Sequence, residues 1–379
     1  MLAAGTAAAA SGSAFFIGLS VLAPALRDEF DLTLPQVGLA LASLWVGTLL
    51  TLLPWGLLAD RFGERIVLAT GSAACGVLAA LAGWAPNFGS LVVLLLLASA
   101  MGSSVNAASG RAVMQWFQVE ERGLALGIRQ TAIPVGAAIG AVTLPFVEHA
   151  GGLKAAFVYL GSLCVVSAIV AVLVIREAPV ADTELEADAI PWTLRDRRLW
   201  TLCAGSGLYL FGQLPLMSFT VLFLHDVHGV SEARAAAVLA VAQVGAAFSR
   251  IGAGRVSDRL KSRLRPLRWI GLASACGLLL TALVARTELV VVASVMVVAG
   301  AVSMAWNGLS LTAAAELAGR ARSGAAIGFQ QTSLAAIGIG VPVAFAAIVE
   351  ASSWRTAFAL SAIGPLAGWL MLGTLRDRV

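Results

Sequence analysis

Three arginines lie inside long apolar runs of the sequence, where a charge needs a specific reason to be present. They are Arg111, Arg129 and Arg250, and each falls in a stretch long enough to cross a lipid bilayer. A charged side chain at the centre of a spanning helix costs on the order of 3 kcal/mol, so it normally faces a partner or a water-filled cavity. Because a guanidinium group is planar and binds carboxylates with paired hydrogen bonds, the three arginines predict an anion-binding site.

Two of these arginines also allow a structural interpretation. Arg111 could extend to the inner membrane face or pair there, and Arg250 could brace the cytoplasmic loop that follows it. Arg129 lies about eight residues, or ~12 Å, into its apolar run, near the midplane, where such an explanation is weakest. No Asp or Glu lies deep within any predicted span. A cavity with positive groups alone should repel cations and attract anions.

Uncharged polar side chains accompany the arginines in the apolar runs. The candidates for contacts with a solute are Asn106, Gln130, Tyr209, Gln213, Asn307, Gln330 and Gln331. The alternative is that they form hydrogen bonds between helices, which are worth about 0.6 kcal/mol each inside a membrane. The sequence leaves both interpretations open.

Composition indicates that these residues are carried by a membrane protein. Hydrophobic residues make up 59% of the chain and charged residues 12%, with a mean hydropathy of +0.90, so almost nothing is left for a soluble domain. The net charge of +4 would suggest nucleic acid in a soluble protein, but here the basic residues lie in short loops. The cysteines and histidines form no metal-ligand spacing and no catalytic set, so neither a cofactor nor an enzyme activity is expected.

The apolar runs predict an all-α polytopic membrane protein with twelve transmembrane helices. They lie near 13–26, 36–58, 67–85, 89–116, 122–147, 153–175, 199–224, 234–254, 267–286, 289–315, 323–348 and 354–374. A polar stretch at 176–198 is the predicted cytoplasmic linker between bundles at 1–175 and 199–379. Met1 to Ser13 lacks a basic region, so it is a poor signal peptide and is expected to be a short tail or a trimmed terminus.

Basic residues in the connecting loops predict the orientation. With both termini inside, the inner loops carry seventeen Lys and Arg and the outer loops carry five. Positive residues stay on the cytoplasmic side of the membrane when a loop is short. This asymmetry predicts that both termini are cytoplasmic.

The two halves of the chain repeat each other. The segment Ala125–Thr131 matches Ala326–Thr332 at a shift of 201 residues, and Asn106 matches Asn307 at the same shift. Repeats of this kind in membrane proteins form two bundles that enclose a site near the bilayer midplane and move against each other. The repeat therefore predicts two pseudo-symmetric six-helix bundles and alternating access by rocking.

A ten-residue motif in the first half recurs at the equivalent place in the second half, where Leu260-Lys261-Ser262 loses its second glycine. Its first copy is Gly56-Leu57-Leu58-Ala59-Asp60-Arg61-Phe62-Gly63-Glu64-Arg65, and its second is Gly254-Arg255-Val256-Ser257-Asp258-Arg259. The motif resembles the signature G-x-x-x-D-R-x-G-R-R of the major facilitator superfamily, departing from it at Glu64. The resemblance implies a twelve-helix transporter and an inter-helix latch made by Gly56, Asp60, Arg61, Gly63, Arg65, Gly254, Asp258 and Arg259.

The motif also has a simpler interpretation, in which its arginines act only as positive-inside markers. In the latch interpretation, glycine lets two helices approach closely, and the aspartate accepts charge-assisted hydrogen bonds at the inner face. Arginines there could also bind lipid phosphate.

Two further resemblances concern the solute. The segment Arg122–Thr131, with Pro134 and Gly136 after it, is similar to the cyanate-permease branch of the superfamily. Arg250 resembles the carboxylate clamp on the eighth helix of the monocarboxylate and oxalate/formate branches. An alternative comes from Gly127, Gly136 and Gly140, which partly resemble the antiporter motif of proton-coupled exporters of drugs or metabolites.

Together these features predict a secondary active transporter of the cytoplasmic membrane that moves a small anion, preferably a carboxylate. Because no buried carboxylate is available, coupling to protons carried with the solute or to a counter-transported anion is expected. Membrane lipid is the other expected partner, and the protein is expected to be a monomer. A sensor that does not transport is the remaining alternative, although sensors usually add a soluble output domain.

Overall fold

The computed structural model describes residues 2–106, 108, 122–175, 195–318 and 323–375, with the side chains of 2–5, 60, 122–129 and 323–325 excepted. All regular secondary structure in these ranges is helical. The helices are α1 (Leu2–Val21), α2 (Ala23–Phe30), α3 (Leu34–Ala82), α4 (Phe88–Gly102), α5 (Arg122–Val174), α6 (Arg197–Gly207), α7 (Leu210–Ser218), α8 (Thr220–His228), α9 (Glu232–Leu260), α10 (Leu264–Val284), α11 (Leu289–Ser303), α12 (Trp306–Ala318), α13 (Ser323–Ala351), α14 (Trp354–Ser361) and α15 (Ile363–Leu372).

Twelve membrane crossings follow from the helices in the described ranges. Nine helical segments there are long and apolar enough to cross a bilayer, and two bent helix pairs raise the number to eleven. One segment, Gln130–Val174, has 45 residues. At 1.5 Å per residue it is about 68 Å long, roughly twice the ~30 Å hydrocarbon core. It is interrupted at Gly152, so it supplies two crossings, and the predicted twelve-helix fold is confirmed.

Two glycines make the sharp turns that join consecutive crossings. Gly63 has φ 80° within α3, and Gly152 has φ 67° within α5. A residue with a Cβ rarely adopts these conformations, so glycine is required there. Prolines accompany the milder bends: Pro24 follows a 55° bend between α1 and α2, and Pro215 precedes a 52° bend between α7 and α8.

The N-terminal segment differs from its prediction as a short tail. It is helical from Leu2, and Ala8 and Ala9 are buried in a cluster with residues of α3 and α5. The cause is small side chains: a Cβ placed on Gly136 would collide with the backbone of Ala10. Close backbone approach through small residues is a common way for membrane helices to associate. Alanine and glycine have modest hydropathy, so the apolar pattern, which predicted a helix from about residue 13, did not reveal its first turns.

Contacts divide the chain into two compact units. Unit 1 consists of Met1–Ala181 with Val221–Ala240, and unit 2 consists of Asp182–Thr220 with Val241–Val379. In unit 1, Gly76 of α3 and Gly161 of α5 face each other, since a Cβ on either would meet the other's backbone oxygen. In unit 2, an aromatic cluster forms part of the packing between helices and comprises Phe219, Phe345, Trp354 and Phe358.

Candidate functional site

The candidate site in unit 2 is built around a break in the tenth crossing. Helix α11 ends at Ser303 and α12 begins at Trp306, with Met304 and Ala305 between them. The backbone carbonyl of Met304 accepts two side-chain hydrogen bonds, from Arg250 Nε at 3.0 Å and from Asn307 Nδ2 at 3.2 Å. Irregular backbone inside a membrane is tolerated where protein or water satisfies its polar groups. Here a guanidinium and an amide do so.

Arg250 is brought to this carbonyl by close packing of α9 against α11. A Cβ added to Gly300 would lie 3.4 Å from the Cβ of Ala242, and one added to Gly245 would lie 2.9 Å from the Cβ of Ala301. The small residues allow the two helices to approach, which places Arg250, further along α9, beside the break. Its side chain is half-buried, and the bond through Nε fixes the orientation of the planar guanidinium.

Asn307 connects the break to the seventh crossing. Its amide nitrogen also donates to Oε1 of Gln213 at 3.0 Å, and the amide nitrogen of Gln213 lies 4.0 Å from the sulfur of Met217. Two predicted solute contacts, Asn307 and Gln213, are therefore bonded to each other. This is the geometry of interhelical hydrogen bonds, the alternative that the sequence left open.

Gln330 of α13 joins the same region through Ser310. Its amide nitrogen donates a hydrogen bond to Ser310 Oγ, and its side chain is 1% exposed. Ser310 lies one helical turn after Trp306, whose ring is edge-on to Tyr209 at 5.9 Å. Among the described residues, no hydrogen-bond partner is found for Gln330 Oε1, Trp306 Nε1 or Gln243 Nε2.

Tyr209 lies in the packing between helices. It is 1% exposed, and its hydroxyl donates to the backbone carbonyl of Leu267 at 3.2 Å. Gly271 and Gly368 lie against its ring, where a Cβ on either glycine would collide with it. The side chain thus holds three helices of unit 2 together.

The other predicted solute contacts are scattered or undescribed. Gln130 and Gln331 are half-buried, and Asn106 is exposed. Arg111 lies outside the described residues. Arg129 lies in α5, but its side chain is outside those described. The structure therefore brings together Arg250, Asn307, Gln213 and Gln330 of the predicted set.

The first motif lies at the turn within α3. Gly63 supplies the positive φ of that turn, and Arg61 and Arg65 are exposed, with the Arg61 guanidinium 5.3 Å from the centre of the Phe62 ring. The side chain of Asp60 lies outside those described. Glu64, the departure from the signature, is 2% exposed, so a carboxylate is buried near the start of the third crossing.

The second motif centres on a residue that the predicted set left out. Arg263 donates through Nη1 to Asp258 Oδ1 at 2.5 Å and to Ser257 Oγ at 3.0 Å, and through Nε to Glu316 Oε1 at 3.0 Å. Partial burial, which alone would lower the pKa of Arg263, is outweighed by these carboxylates, which raise it. Arg259 is exposed. Asp258 and Arg263 are close in sequence, but nothing in the sequence indicates Glu316 as their partner.

Two motif glycines, Gly56 and Gly254, make no close helix contact within the described part of the chain. Among the described residues, no atom lies within 4 Å of a Cβ built on Gly56 or on Gly254. The close approaches occur instead at glycines outside the motif, such as Gly76 and Gly245.

Comparison with known proteins identifies the fold and the family. Residues 4–342 match the Major Facilitator Superfamily. An uncharacterised transporter of this type from Mycobacterium tuberculosis is 33% identical over 360 residues, which are 94% of this chain and 81% of the relative. A probable sulfoacetate transporter of Cupriavidus necator is 26% identical, over 88% of this chain and 83% of that protein. The chain belongs to the major facilitator superfamily, so it is a multi-pass membrane transporter and not an enzyme.

A solved structure shows the same fold. A bacterial homologue of the human lysosomal transporter Spinster, in an inward-facing and occupied conformation, superposes with a TM-score of 0.81 at 18% identity. The superposition covers 98% of this chain and 95% of the other. At this identity the likeness extends to the fold and carries no information about the solute.

Proposed function

We propose that this protein is a secondary transporter of a small organic anion and that Arg250 binds the acidic group. The observation that carries the proposal is the place of Arg250, a guanidinium in an apolar crossing and oriented by the carbonyl of Met304 at 3.0 Å. A positive charge held beside a helix break in an apolar crossing suits an anionic solute. The planar guanidinium group, with its paired N–H donors, suits a carboxylate or a sulfonate.

Charge distribution supports an anion. In the described crossings, the acidic residues lie within about one helical turn of a helix end or break, and this includes the buried Glu64. A site at the middle of the bilayer would then contain positive groups without a fixed carboxylate, and an entering anion would neutralise it. Sulfoacetate, named for the relative in Cupriavidus necator, is itself a small organic anion.

The proposed mechanism is alternating access, in which the bundles at 1–175 and 199–379 rock about the site. The protein acts as a monomer in the cytoplasmic membrane, with both termini in the cytoplasm. The motif residues, with Arg263 and Glu316, form and release contacts at the inner face during this movement. Coupling uses protons or a counter-transported anion, since no acidic side chain lies deep in a described crossing.

The test is ligand-induced thermal stabilisation of the purified protein by small mono- and dicarboxylates, sulfoacetate, cyanate, nitrate and cationic drugs. Arg250→Gln should lower the affinity for the stabilising anion tenfold to hundredfold, because a charge-assisted hydrogen bond contributes about 1.5 to 3 kcal/mol. Arg255→Gln, on the same helix but exposed, is the matched control and should bind normally. Stabilisation by cationic or neutral compounds only, equal in all three proteins, would refute an anion transporter.

A further inference from the structure

Two buried polar side chains beside the break in the tenth crossing have hydrogen-bonding capacity that the described part of the chain leaves unused. Trp306 is 0% exposed and Gln330 is 1% exposed. Trp306 Nε1 and Gln330 Oε1 have no hydrogen-bond partner in the described part of the chain. Ser310, one turn after Trp306 on α12, receives the hydrogen bond from Gln330. The two side chains therefore belong to one small polar region of unit 2.

Leaving such groups without partners is costly. An unsatisfied buried donor or acceptor costs about 1 to 3 kcal/mol, and lipid offers no water to relieve it. Gln243 adds a third buried atom without a described partner, on the face of α9 that also carries Arg250 two turns later. Each buried polar group without a partner needs an explanation, and a ligand that completes the hydrogen bonding is one that also fits the nearby Arg250.

The atom types define what that ligand must offer. Trp306 can only donate a hydrogen bond, whereas a glutamine amide both donates and accepts. If the Gln330 amide were turned around, the atom without a partner would be its nitrogen, so the amide still has one unused group. A hydroxyl group satisfies either arrangement, because it accepts from Trp306 and either donates to or accepts from Gln330. A carboxylate alone can only accept.

We propose that the solute is a hydroxylated organic acid, with its acidic group on Arg250 and its hydroxyl groups on Trp306 and Gln330. This rests on the proposed function, in which Arg250 binds an anion. Alternating access exposes the two side chains at the stage of the cycle in which solute enters. A site built to bond a hydroxyl group discriminates strongly against the analogue that lacks it, because its own buried groups are then left unpaired.

The experiment compares acids that differ only in their hydroxyl groups. Gluconate and hexanoate, and glycerate and propionate, are tested as pairs for thermal stabilisation and for counterflow in proteoliposomes, with sulfoacetate as an unhydroxylated dianion. The wild-type protein should prefer the hydroxylated member of at least one pair by tenfold or more. Trp306→Phe and Gln330→Met should reduce that preference at least threefold, because they should lower the affinity for the hydroxylated acid more than the affinity for its unhydroxylated partner.

Thr312→Val is the matched control. Thr312 lies on α12, is exposed, and bonds to the carbonyl of Gly308 in its own helix at 3.0 Å, so the preference should be unchanged. Equal binding of both members of every pair, or tighter binding of sulfoacetate, would overturn the hydroxylated solute while leaving an anion transporter in place. Binding of no anion at all would overturn both proposals. The wild-type panel decides the matter even if a variant fails to fold.

Discussion

Replacing Arg263 by glutamine should cost unit 2 only about 1 kcal/mol of stability. The side chains of Arg263, Asp258 and Glu316 are 28%, 69% and 53% exposed, so water screens both ion pairs. Exposed ion pairs contribute about 0.2 to 1 kcal/mol each, so two pairs contribute roughly 1 kcal/mol. This corresponds to about a fivefold change in the ratio of folded to unfolded protein. Interactions of this strength can break and reform in every transport cycle. A cluster worth 3 kcal/mol or more would be a fixed brace.

A double-mutant cycle measures this energy directly. Arg263→Gln, Glu316→Gln and the double variant are purified, and the free energy of unfolding is compared at low and high salt. The coupling energy should be below about 1 kcal/mol at low salt and smaller at high salt, because salt screens exposed charges. Arg255→Gln, exposed in the same unit, is the control and should leave stability unchanged. A coupling above about 3 kcal/mol that is insensitive to salt would refute the assignment of these residues to a reversible contact.

Other expectations concern orientation, backbone and charge. A membrane-impermeant maleimide should label the exposed variant Ser231→Cys in intact cells. It should label Arg265→Cys, which is also exposed, only after the cells are permeabilised. The reverse pattern would contradict cytoplasmic termini. Gly152→Ala should lower the free energy of unfolding by about 1 to 3 kcal/mol, because φ is 67° at that residue. Gly340→Ala is the control and should not lower it, because no described atom lies within 4 Å of a Cβ at that position. Equal effects of the two variants in thermal unfolding would argue against a required glycine turn. Arg129→Gln should lower anion affinity tenfold to hundredfold in the thermal-shift assay, and unchanged affinity would remove Arg129 from the site.

Most of the fold could be predicted from the sequence because a bilayer imposes a simple length rule. Apolar runs of about 20 residues marked the crossings, and the charge clusters between them marked their ends. The first helix was missed over its initial turns because alanine, glycine and serine give little hydropathy. Its burial at Ala8 and Ala9 depends on how closely Gly136 lets the fifth crossing approach, which only the packing reveals.

The candidate site could be predicted by residue type but not by pairing. Arg250 stood out because a charge in an apolar run is costly, whatever its neighbours. Its acceptor, the carbonyl of Met304, is 54 residues away and is available because a helix breaks there. The bond from Arg263 to Glu316 joins residues that are 53 apart. Such contacts depend on how helices cross, and periodicity within one helix does not contain that information.

The internal repeat separates what the fold requires from what the solute requires. Both halves keep the Asp-Arg pair of the motif, at Asp60 and at Asp258, as expected of parts that serve a movement common to two bundles. The position equivalent to Arg250 is Leu52. Since an apolar residue is accepted at one of two equivalent places, packing does not demand the arginine at the other. A charge that costs on the order of 3 kcal/mol and is absent from the equivalent position of the repeat is consistent with the proposed role of Arg250 in binding an anion. Under the proposed function, the positions that differ between the repeats are therefore the first to test for contact with the solute.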